Sequence, residues 1–264
     1  CKPVAADYGL LKTIDVPVTA VCGDQSAAWF ANGRPRATSA HINIGSGAFV
    51  LAGLTAARAP DGLLTSIAFS DTDSCEYLVE GTVNGAGSAL QWLQSVRDMP
   101  AVDTHLNDWL QQTGNPPLFL NTIGGLGSPW WRHDVEPCFV PAMDKHSDAE
   151  LAVAVIESML FLLQYNIDQI LLQQTLLDLR LSGGLSRVPL VCQKLANLSE
   201  LPVYRSVDPE ASARGIAWLA AGQPQQWLTE ATEGERFQPQ TDPGLKARYR
   251  LFVETLSERL EATA

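Results

Sequence analysis

Five short β-rich runs lie within the first 81 residues of the chain, and they constrain its fold more than any other feature. Turn residues separate them, which is typical of the strands of a partly antiparallel meander. The runs are PVTAV (17–21), HINIG (41–45), AFVLAGL (48–54), LLTSIAF (63–69) and EYLVEG (76–81). From residue 84 the apolar residues of NGAGSALQWLQSV recur at helical spacing, so a helix is predicted to follow the strands.

The second half of the chain alternates between strand and helix patterns, after a loop-rich stretch that contains GGLGSPWW (124–131). Ser147 and Asp148 can cap a long apolar helix that extends to about Gln174, with Glu150 in its first turn. Strands are predicted at 137–142, 176–184 and 202–206, and helices at 188–198, 209–222 and 242–264. The pattern predicts a mixed α/β domain with a helix-rich second half.

Composition bounds the size and the partners of the chain. Its 264 residues, 46% of them hydrophobic, suffice for one large domain or two small ones with a proper core. The net charge of −11 argues against a nucleic acid or an anionic membrane as partner, because phosphate-rich surfaces select for basic patches. A small anionic ligand stays compatible with this charge, since a few backbone N–H groups can hold phosphates.

The cysteines and histidines are scattered, without a CxxC or HExxH pattern, so a reduced, cytoplasmic setting and no metal site are predicted. The most hydrophobic helix candidate, at 151–165, contains Glu157 and is too short for a membrane span, which favours a buried helix. The chain begins with Cys1 rather than Met, which we interpret as a piece of a longer polypeptide.

Three glycine-containing turns are candidates for phosphate binding: NIGSGAF (43–49), NGAGSALQ (84–91) and SGGLSRVP (182–189). Glycine lets a backbone approach a ligand closely, and helix N-termini offer N–H groups to phosphate oxygens. Each turn taken singly is more simply a tight turn. The chain has no GxxxxGK[ST] motif, and GSGAFV lies between two predicted strands, which argues against a P-loop and a dinucleotide fingerprint.

One carboxylate, in CGDQSAAW (22–29), lies where a predicted strand ends and an Ala-rich helix begins. Asp24 could cap that helix by accepting backbone N–H bonds. It could equally be a catalytic base, because ligands of α/β folds bind at strand ends. The spacing alone does not choose between these two roles.

Taken together and in order, these segments resemble the FGGY carbohydrate kinases. The resemblance rests on GDQSAA, INIGSGAFVL, GLLTSIAF, YLVEGTVNGAGSALQWL, GGLGSPWW and SGGLSRVPLVCQ, and it extends from about residue 8 to 222. It implies the family's carboxy-terminal domain, which is one half of an actin-like (ribonuclease H-like) ATPase fold with a mixed sheet flanked by helices. The whole chain, 1–264, is then this domain, with a terminal helix at 242–262, and the amino-terminal kinase domain is absent from it.

The resemblance implies substrate roles for three residues. Asp24 would take the proton from a sugar or polyol hydroxyl as it attacks the γ-phosphate, Gln25 would contact substrate hydroxyls, and Phe49 would pack on the carbon skeleton. Core packing remains an equal alternative for Phe49. Glycerol is the favoured substrate, because GDQ and GLLTSIA are most similar to the branch that phosphorylates it.

The resemblance also implies nucleotide contacts, with ATP and Mg²⁺ as cofactors. Gly45 and Ser46 would hold phosphates, Gly87 and Gln91 would lie along the phosphate and ribose, and Gly184 would pack against the adenosine. Gln91 could instead be an amide on a helix surface.

Several features depart from the family's pattern or lie outside this chain. Residues 186–188 replace the segment that carries an adenine-binding asparagine in relatives, and Arg132 stands where the family often has Asp. The phosphate loop and the magnesium-positioning acid would belong to the amino-terminal domain, so the active site of this chain is expected to be incomplete.

Three hypotheses about the function and origin of the chain remain. The first is the nucleotide-binding half of an ATP-dependent kinase for a small polyol or sugar, working with the amino-terminal domain of the same polypeptide. The second is a non-catalytic sensor of sugar or nucleotide that keeps the fold, and the third is a natural stand-alone fragment. The helix at 242–262 could dock on the body or on another subunit, so a homo-oligomer stays open.

Overall fold

A computed structural model describes residues 3–55, 58–99, 102–205, 210–227 and 234–263 of the chain, and Cys1, Ser206 and Pro209 of the predicted features lie outside these ranges. The strands are β1 (Leu10–Leu11), β2 (Val16–Pro17), β3 (Ser39–Ile44), β4 (Ala48–Gly53), β5 (Leu64–Ser70), β6 (Cys75–Val83), β7 (Leu118–Leu120), β8 (Cys138–Val140), β9 (Asp178–Ser182), β10 (Val203–Arg205) and β11 (Arg236–Phe237). The helices are α1 (Asp24–Trp29), α2 (Gly87–Arg97), α3 (Leu106–Gln112), α4 (Asp148–Leu171), α5 (Pro189–Ser199), α6 (Ala211–Ala220) and α7 (Pro243–Ala262).

Seven strands form the central sheet, in the order β11-β10-β9-β3-β4-β6-β5. Strand β9 pairs in parallel with both β3 and β10, whereas the other neighbours pair antiparallel. The predicted mixed sheet flanked by helices is therefore confirmed. The pairs β1–β2 and β7–β8 form two separate two-stranded sheets.

The structure differs from the predicted elements in three places. The run PVTAV (17–21) does not join the meander, because β2 pairs with β1 in its own hairpin. The stretch predicted to be loop-rich contains α3 and β7, and β11 was not predicted at all. These elements span only 7, 3 and 2 residues, too few to produce a clear apolar period.

One side of the central sheet, which we call the apolar face, is buried against α4 and α5, and α2 packs on α4. Its strands contribute Ile42, Ile44, Val50, Leu179 and Leu181, all at most 1% exposed. Helix α4 begins with a capping box, in which Ser147 and Glu150 bond each other's backbone N–H groups, so the predicted cap at Ser147 is confirmed, whereas Asp148 is the first helical residue rather than a cap.

Helix α4 is long and apolar enough to cross a membrane by length and composition, but 89% of its most apolar window is buried inside the protein. Such burial is typical of a helix at the centre of a protein core. It confirms the prediction that this segment is a buried helix.

Helix α7 docks on the body of the same chain, which decides one alternative that the sequence left open. Phe252 and Leu256 are each 1% exposed, within the main core. The Arg248 guanidinium donates from Nε to Glu157 on α4 over 2.7 Å, and the Tyr249 hydroxyl donates to Asp168 over 2.6 Å. Burial and that neighbouring carboxylate raise the pKa of Tyr249.

The opposite side of the sheet, which we call the polar face, is covered in part by α1 and α6. Residues that pair across β3, β4, β6 and β9 place polar groups on this side: His41, Asn43, Glu80, Thr82, Arg180 and Ser182. Trp29 of α1 lies against His41, with ring centroids 4.8 Å apart. Gly215 allows α6 to approach α1 so closely that a Cβ there would lie 1.7 Å from the Ala27 carbonyl oxygen.

Candidate active site

Two of the three predicted turns meet because β3 and β9 run in parallel, so that their carboxyl ends lie at the same edge of the sheet. Residues 45–47 follow β3, and Gly183 and Gly184 follow β9. Gly183 has a φ of +90°, and a Cβ at this position would lie 2.4 Å from the carbonyl oxygen of Ile44. Only glycine combines that backbone angle with so close a contact. We call this border the turn edge.

The third turn is hydrogen-bonded directly to the first. The Gly87 N–H donates to the Gly45 carbonyl oxygen over 3.0 Å, and the N–H groups of Ala86 and Ser88 both donate to the Ser46 carbonyl, also over 3.0 Å. A Cβ on Gly87 would lie 2.8 Å from that Gly45 oxygen, so glycine is needed here for packing. The predicted phosphate contact at Gly87 stays a prediction, but its N–H is already engaged within the protein.

The Gly45 N–H, predicted to hold a phosphate, donates to the Gly47 carbonyl oxygen over 2.8 Å, so the N–H groups that remain available in the first turn are those of Ser46 and Gly47. Nothing in the described part of the chain accepts from the N–H of Ser46 or Gly47, and Gly45 and Ser46 are exposed. Gly184 is also exposed, and no atom lies within 4 Å of a Cβ added to it. The turn edge therefore combines free backbone donors with open space, which is what an anionic ligand requires.

Asp24 is the first residue of α1, and it is exposed. The N-cap is Gly23 and no side chain caps the helix, so the predicted N-cap role of Asp24 is wrong by one residue. One carboxylate oxygen accepts the N–H of Gln25 over 2.9 Å. Among the described residues, nothing engages the other oxygen, so the carboxylate is accessible to a ligand.

Gln25 and Cys22, the polar neighbours of Asp24, are both partly buried. The Gln25 side-chain oxygen is enclosed and has no hydrogen-bond partner in the described structure, so only its NH₂ group is left to meet a substrate hydroxyl. Burial, and secondarily the charge of Asp24, raise the pKa of the Cys22 thiol. That thiol therefore stays protonated, which makes it a poor nucleophile.

Phe49 lies on the polar face, where its position in β4 pairs with Asn43 on one side and Thr82 on the other. It is partly exposed and belongs to neither of the two large apolar clusters, which argues against core packing as its main role. Gln91 is exposed on α2, as expected both for a ligand contact and for a helix-surface amide.

Two asparagines that the sequence reasoning did not single out hold the turn edge together. The Asn84 side chain donates to the carbonyl oxygens of Gly124 and Gly125, over 3.1 Å each. The Asn121 side chain donates to Gly85 over 2.7 Å. These bonds hold the loop GGLGSPWW against the turn that precedes α2. The Asn-Gly pair at 84–85 was the sequence signal that could have identified Asn84.

The remaining predicted positions in these loops have local partners. Trp130 packs on Tyr165 with ring centroids 4.6 Å apart, and the Trp131 indole N–H donates to the Gly62 carbonyl oxygen over 2.6 Å, so both indoles have partners within the chain. Arg132 forms two 2.6 Å bonds to Asp134 and lowers the pKa of that carboxyl to about 2. Ser186 is buried and its hydroxyl donates back to Gly183 over 2.7 Å.

No group of three or more His, Cys, Asp or Glu side chains that could hold a metal ion occurs among the residues that the structure describes. The described cysteines, Cys22, Cys75, Cys138 and Cys192, are free thiols.

The sheet and its flanking helices define a domain of the actin-like ATPase fold. The model of the FGGY family of carbohydrate kinases, C-terminal domain, matches residues 40–223. The chain belongs to this family. A glycerol kinase of Halothermothrix orenii is 31% identical over 217 residues, 78% of this chain and 42% of the relative. A glycerol kinase of Limosilactobacillus reuteri is 27% identical over 266 residues, 92% of this chain and 52% of the relative.

Solved structures agree on the fold. The Plasmodium falciparum glycerol kinase with ADP superimposes with a TM-score of 0.79 at 22% identity, covering 98% of this chain and 55% of that one. A ligand-bound xylulose kinase from Lactobacillus acidophilus gives a TM-score of 0.74 at 19% identity, covering 94% of this chain and 52% of that one. The chain thus spans about half the length of the relatives it matches.

Proposed function

We propose that this chain is the nucleotide-binding half of an ATP-dependent polyol or sugar kinase, with a glycerol-like substrate. The observation that carries the proposal is the convergence of three glycine turns at one edge of the sheet, with free N–H groups at Ser46 and Gly47. Phosphoryl transfer depends mainly on positioning and on charge stabilisation. Backbone N–H groups that hold the phosphates and one general base are therefore what this half of the kinase would need to contribute.

The residues present fit the phosphates and the ribose of ATP. Ser46 and Gly47 would bind phosphate oxygens through their N–H groups, Gly184 would leave room for the adenosine, and Gln91 is exposed on α2 for the ribose. ATP supplies the transferred phosphoryl group when it is bound. The residues described here do not fit Mg²⁺ by themselves, since no acidic cluster lies among them.

Asp24 would act as the general base towards the attacking hydroxyl, because its exposed carboxylate keeps one oxygen unengaged. Phe49 would orient the carbon skeleton from the polar face, and the NH₂ group of Gln25 would bind a substrate hydroxyl. The amino-terminal domain of the same polypeptide would close over this side and exclude water, as lids and hinged domains do in other kinases. Residues 1–264 would form the carboxy-terminal domain, in a cytoplasmic protein.

The experiment is a measurement of ADP release by the complete polypeptide over a panel of polyols and sugars. We expect turnover with a small polyol, and we expect Asp24→Asn to lower kcat by about 10²- to 10⁴-fold, the usual contribution of a general base. Asp108→Asn, which changes a carboxylate near the start of α3, is the matched control. Full activity of Asp24→Asn would remove the base assignment.

The segment at 186–188 favours a second candidate, a sensor without turnover. Ser186 is buried and its hydroxyl already donates to the Gly183 carbonyl oxygen, so this side chain does not replace the adenine-binding asparagine of relatives. Binding of a sugar or nucleotide without ADP release in the same assay would support this alternative.

A further inference from the structure

Strand β6 continues past the end of its outer neighbour β5 before it reaches the turn edge. The last pair between these two strands is Leu64 with Glu80, whereas β4 stays paired with β6 as far as Val83. Thr82, which is buried, therefore has no strand partner on its outer side. Because buried backbone N–H and C=O groups need hydrogen-bond partners, another part of the chain must bond this residue.

Ser128, in the loop GGLGSPWW, takes the place of the missing strand partner. The Thr82 N–H donates to the Ser128 hydroxyl oxygen over 2.5 Å, and the Ser128 N–H donates to the Thr82 carbonyl oxygen over 3.1 Å. Gly127 makes this approach possible, since a Cβ there would lie 2.1 Å from the same carbonyl oxygen. Both bonds point away from β4, so Thr82 and Phe49 form a non-hydrogen-bonded pair, in which opposite Cα atoms are only about 4.5 Å apart.

The Ser128 hydroxyl is held in turn by Asn166, which lies in the apolar helix α4. This hydroxyl donates to the Asn166 side-chain oxygen over 2.8 Å, and the Asn166 NH₂ group donates to a carbonyl oxygen of its own helix over 2.9 Å. Ser128 is 2% exposed and Asn166 is 0% exposed. Gly81 lets α4 and β6 meet here, because a Cβ on it would lie 2.7 Å from the Asn166 Cβ. A chain of buried hydrogen bonds thus leads from the core to the strand pair that contains Phe49.

Stability alone does not require an asparagine at this position. Burying an amide in an apolar core costs free energy, which its hydrogen bonds offset only when both polar groups are bonded, and an apolar side chain avoids that cost. An apolar side chain could not, however, fix the Ser128 hydroxyl in one orientation. With its hydrogen directed at Asn166, the hydroxyl presents its lone pairs to the Thr82 N–H.

We propose that Ser128 and Asn166 are positioning residues that orient Phe49 towards the substrate. The inference rests on the proposed function, in which Phe49 packs on the carbon skeleton of a polyol. Both residues are buried and touch no substrate, and they act by holding the outer edge of β6 at Thr82. Loss of either should weaken the binding of the polyol but not that of ATP, because the turn edge has its own hydrogen bonds.

The test compares the kinetics of Ser128→Ala and Asn166→Leu in the complete polypeptide. We expect each variant to raise the KM for the polyol by about three- to tenfold, the equivalent of one hydrogen bond, and to change the KM for ATP by less than about twofold. Asn166→Leu should keep the unfolding temperature within about 3 °C of the native value, since leucine suits an apolar core and the Ser128 hydroxyl can still donate to the Thr82 carbonyl oxygen, 3.3 Å away.

Ser158→Ala is the matched control. Ser158 is also buried and lies on α4, but its hydroxyl donates only to the Val155 carbonyl oxygen of the same helix. Its removal should leave both KM values unchanged. A KM for ATP that rises as much as the KM for the polyol in Ser128→Ala and Asn166→Leu would show a merely structural role and overturn the inference.

Amide hydrogen exchange of the same polypeptides separates failure of this inference from failure of the proposed function, because it needs no turnover. We expect residues 48–50 and 81–83 to exchange about tenfold faster in Ser128→Ala than in the native polypeptide or in Ser158→Ala. Absence of turnover by the native polypeptide would refute the proposed function, and faster exchange of both segments would still support the positioning of Phe49. Unchanged exchange at 48–50 would overturn the inference, with or without turnover.

Discussion

The two faces of the central sheet differ in what their residues accomplish. On the apolar face, Ile42, Val50 and Leu181 are at most 1% exposed within the main apolar core. On the polar face, the neighbouring positions on the same strands carry His41, Phe49 and Ser182, which are only partly covered by α1 and α6. Because successive side chains of a strand alternate, each strand contributes to both faces at once. The apolar face stabilises the domain, and the polar face is left for a ligand or another domain.

The buried ion cluster behind the apolar face provides the largest expected effect. Glu157, only 2% exposed, accepts from Lys194 over 2.9 Å and from the Arg248 Nε over 2.7 Å, which joins α4, α5 and α7. Glu157→Ala removes the carboxylate that both buried cations share and leaves Arg248 only its bonds to neutral groups such as the Pro116 and Pro117 carbonyl oxygens, so we expect a loss of about 3–5 kcal/mol in the free energy of unfolding.

Urea unfolding followed by circular dichroism measures this loss. Arg58→Ala is the control, because the Arg58–Asp61 pair is exposed and such pairs contribute about 0–1 kcal/mol. A Glu157→Ala change as small as that of the control would mean that the apolar face does not depend on this cluster.

The border between the two faces, at the turn edge, gives the second prediction. Gly183→Ala places a Cβ 2.4 Å from a backbone oxygen at a φ of +90°, so we expect a loss of about 2–4 kcal/mol. Gly184→Ala, one residue later in open space, should change the stability by less than about 0.5 kcal/mol. Thermal unfolding of the two variants side by side measures the difference, and equal losses would show that the turns do not pack as described.

Much of the fold could be predicted because its signals are local. The strands at β3, β4, β5 and β6, the capping box of α4 and Pro189 in the first turn of α5 all follow from neighbouring residues. The short elements α3, β7 and β11 could not be predicted, since so few residues carry no period. The separate pairing of β1 with β2 was also missed, because a β-rich run does not say which strand it pairs with.

The candidate site was predictable residue by residue but not as an arrangement. The glycine turns and Asp24 are visible in the sequence, but the parallel pairing of β3 with β9 joins residues about 140 positions apart and has no local signal. The engagement of the Gly87 N–H with Gly45 and the enclosure of the Gln25 oxygen are likewise tertiary effects. The roles of the predicted site residues stay predictions.

The smallest expected effect, about 1 kcal/mol at pH 5.5, comes from His41 on the polar face. Burial, and then the neighbouring Arg180 charge, lower the pKa of this imidazole to about 4. The imidazole of the unfolded chain therefore binds a proton near pH 6.5, whereas that of the folded chain binds one only near pH 4. The free energy of unfolding falls as the pH decreases from about 6.5 to about 4. The full loss is on the order of 3 kcal/mol, and about 1 kcal/mol of it should be present by pH 5.5.

The pH dependence of urea unfolding for the native chain and for His41→Gln measures this loss. The variant should show a shallower slope across this window, whereas its slope below pH 4, where carboxylates titrate, should match that of the native chain. Identical slopes between pH 4 and 6.5 would mean that the imidazole is already hydrated in the folded protein, and the polar face would then be open to water beneath α1 as well as at the turn edge.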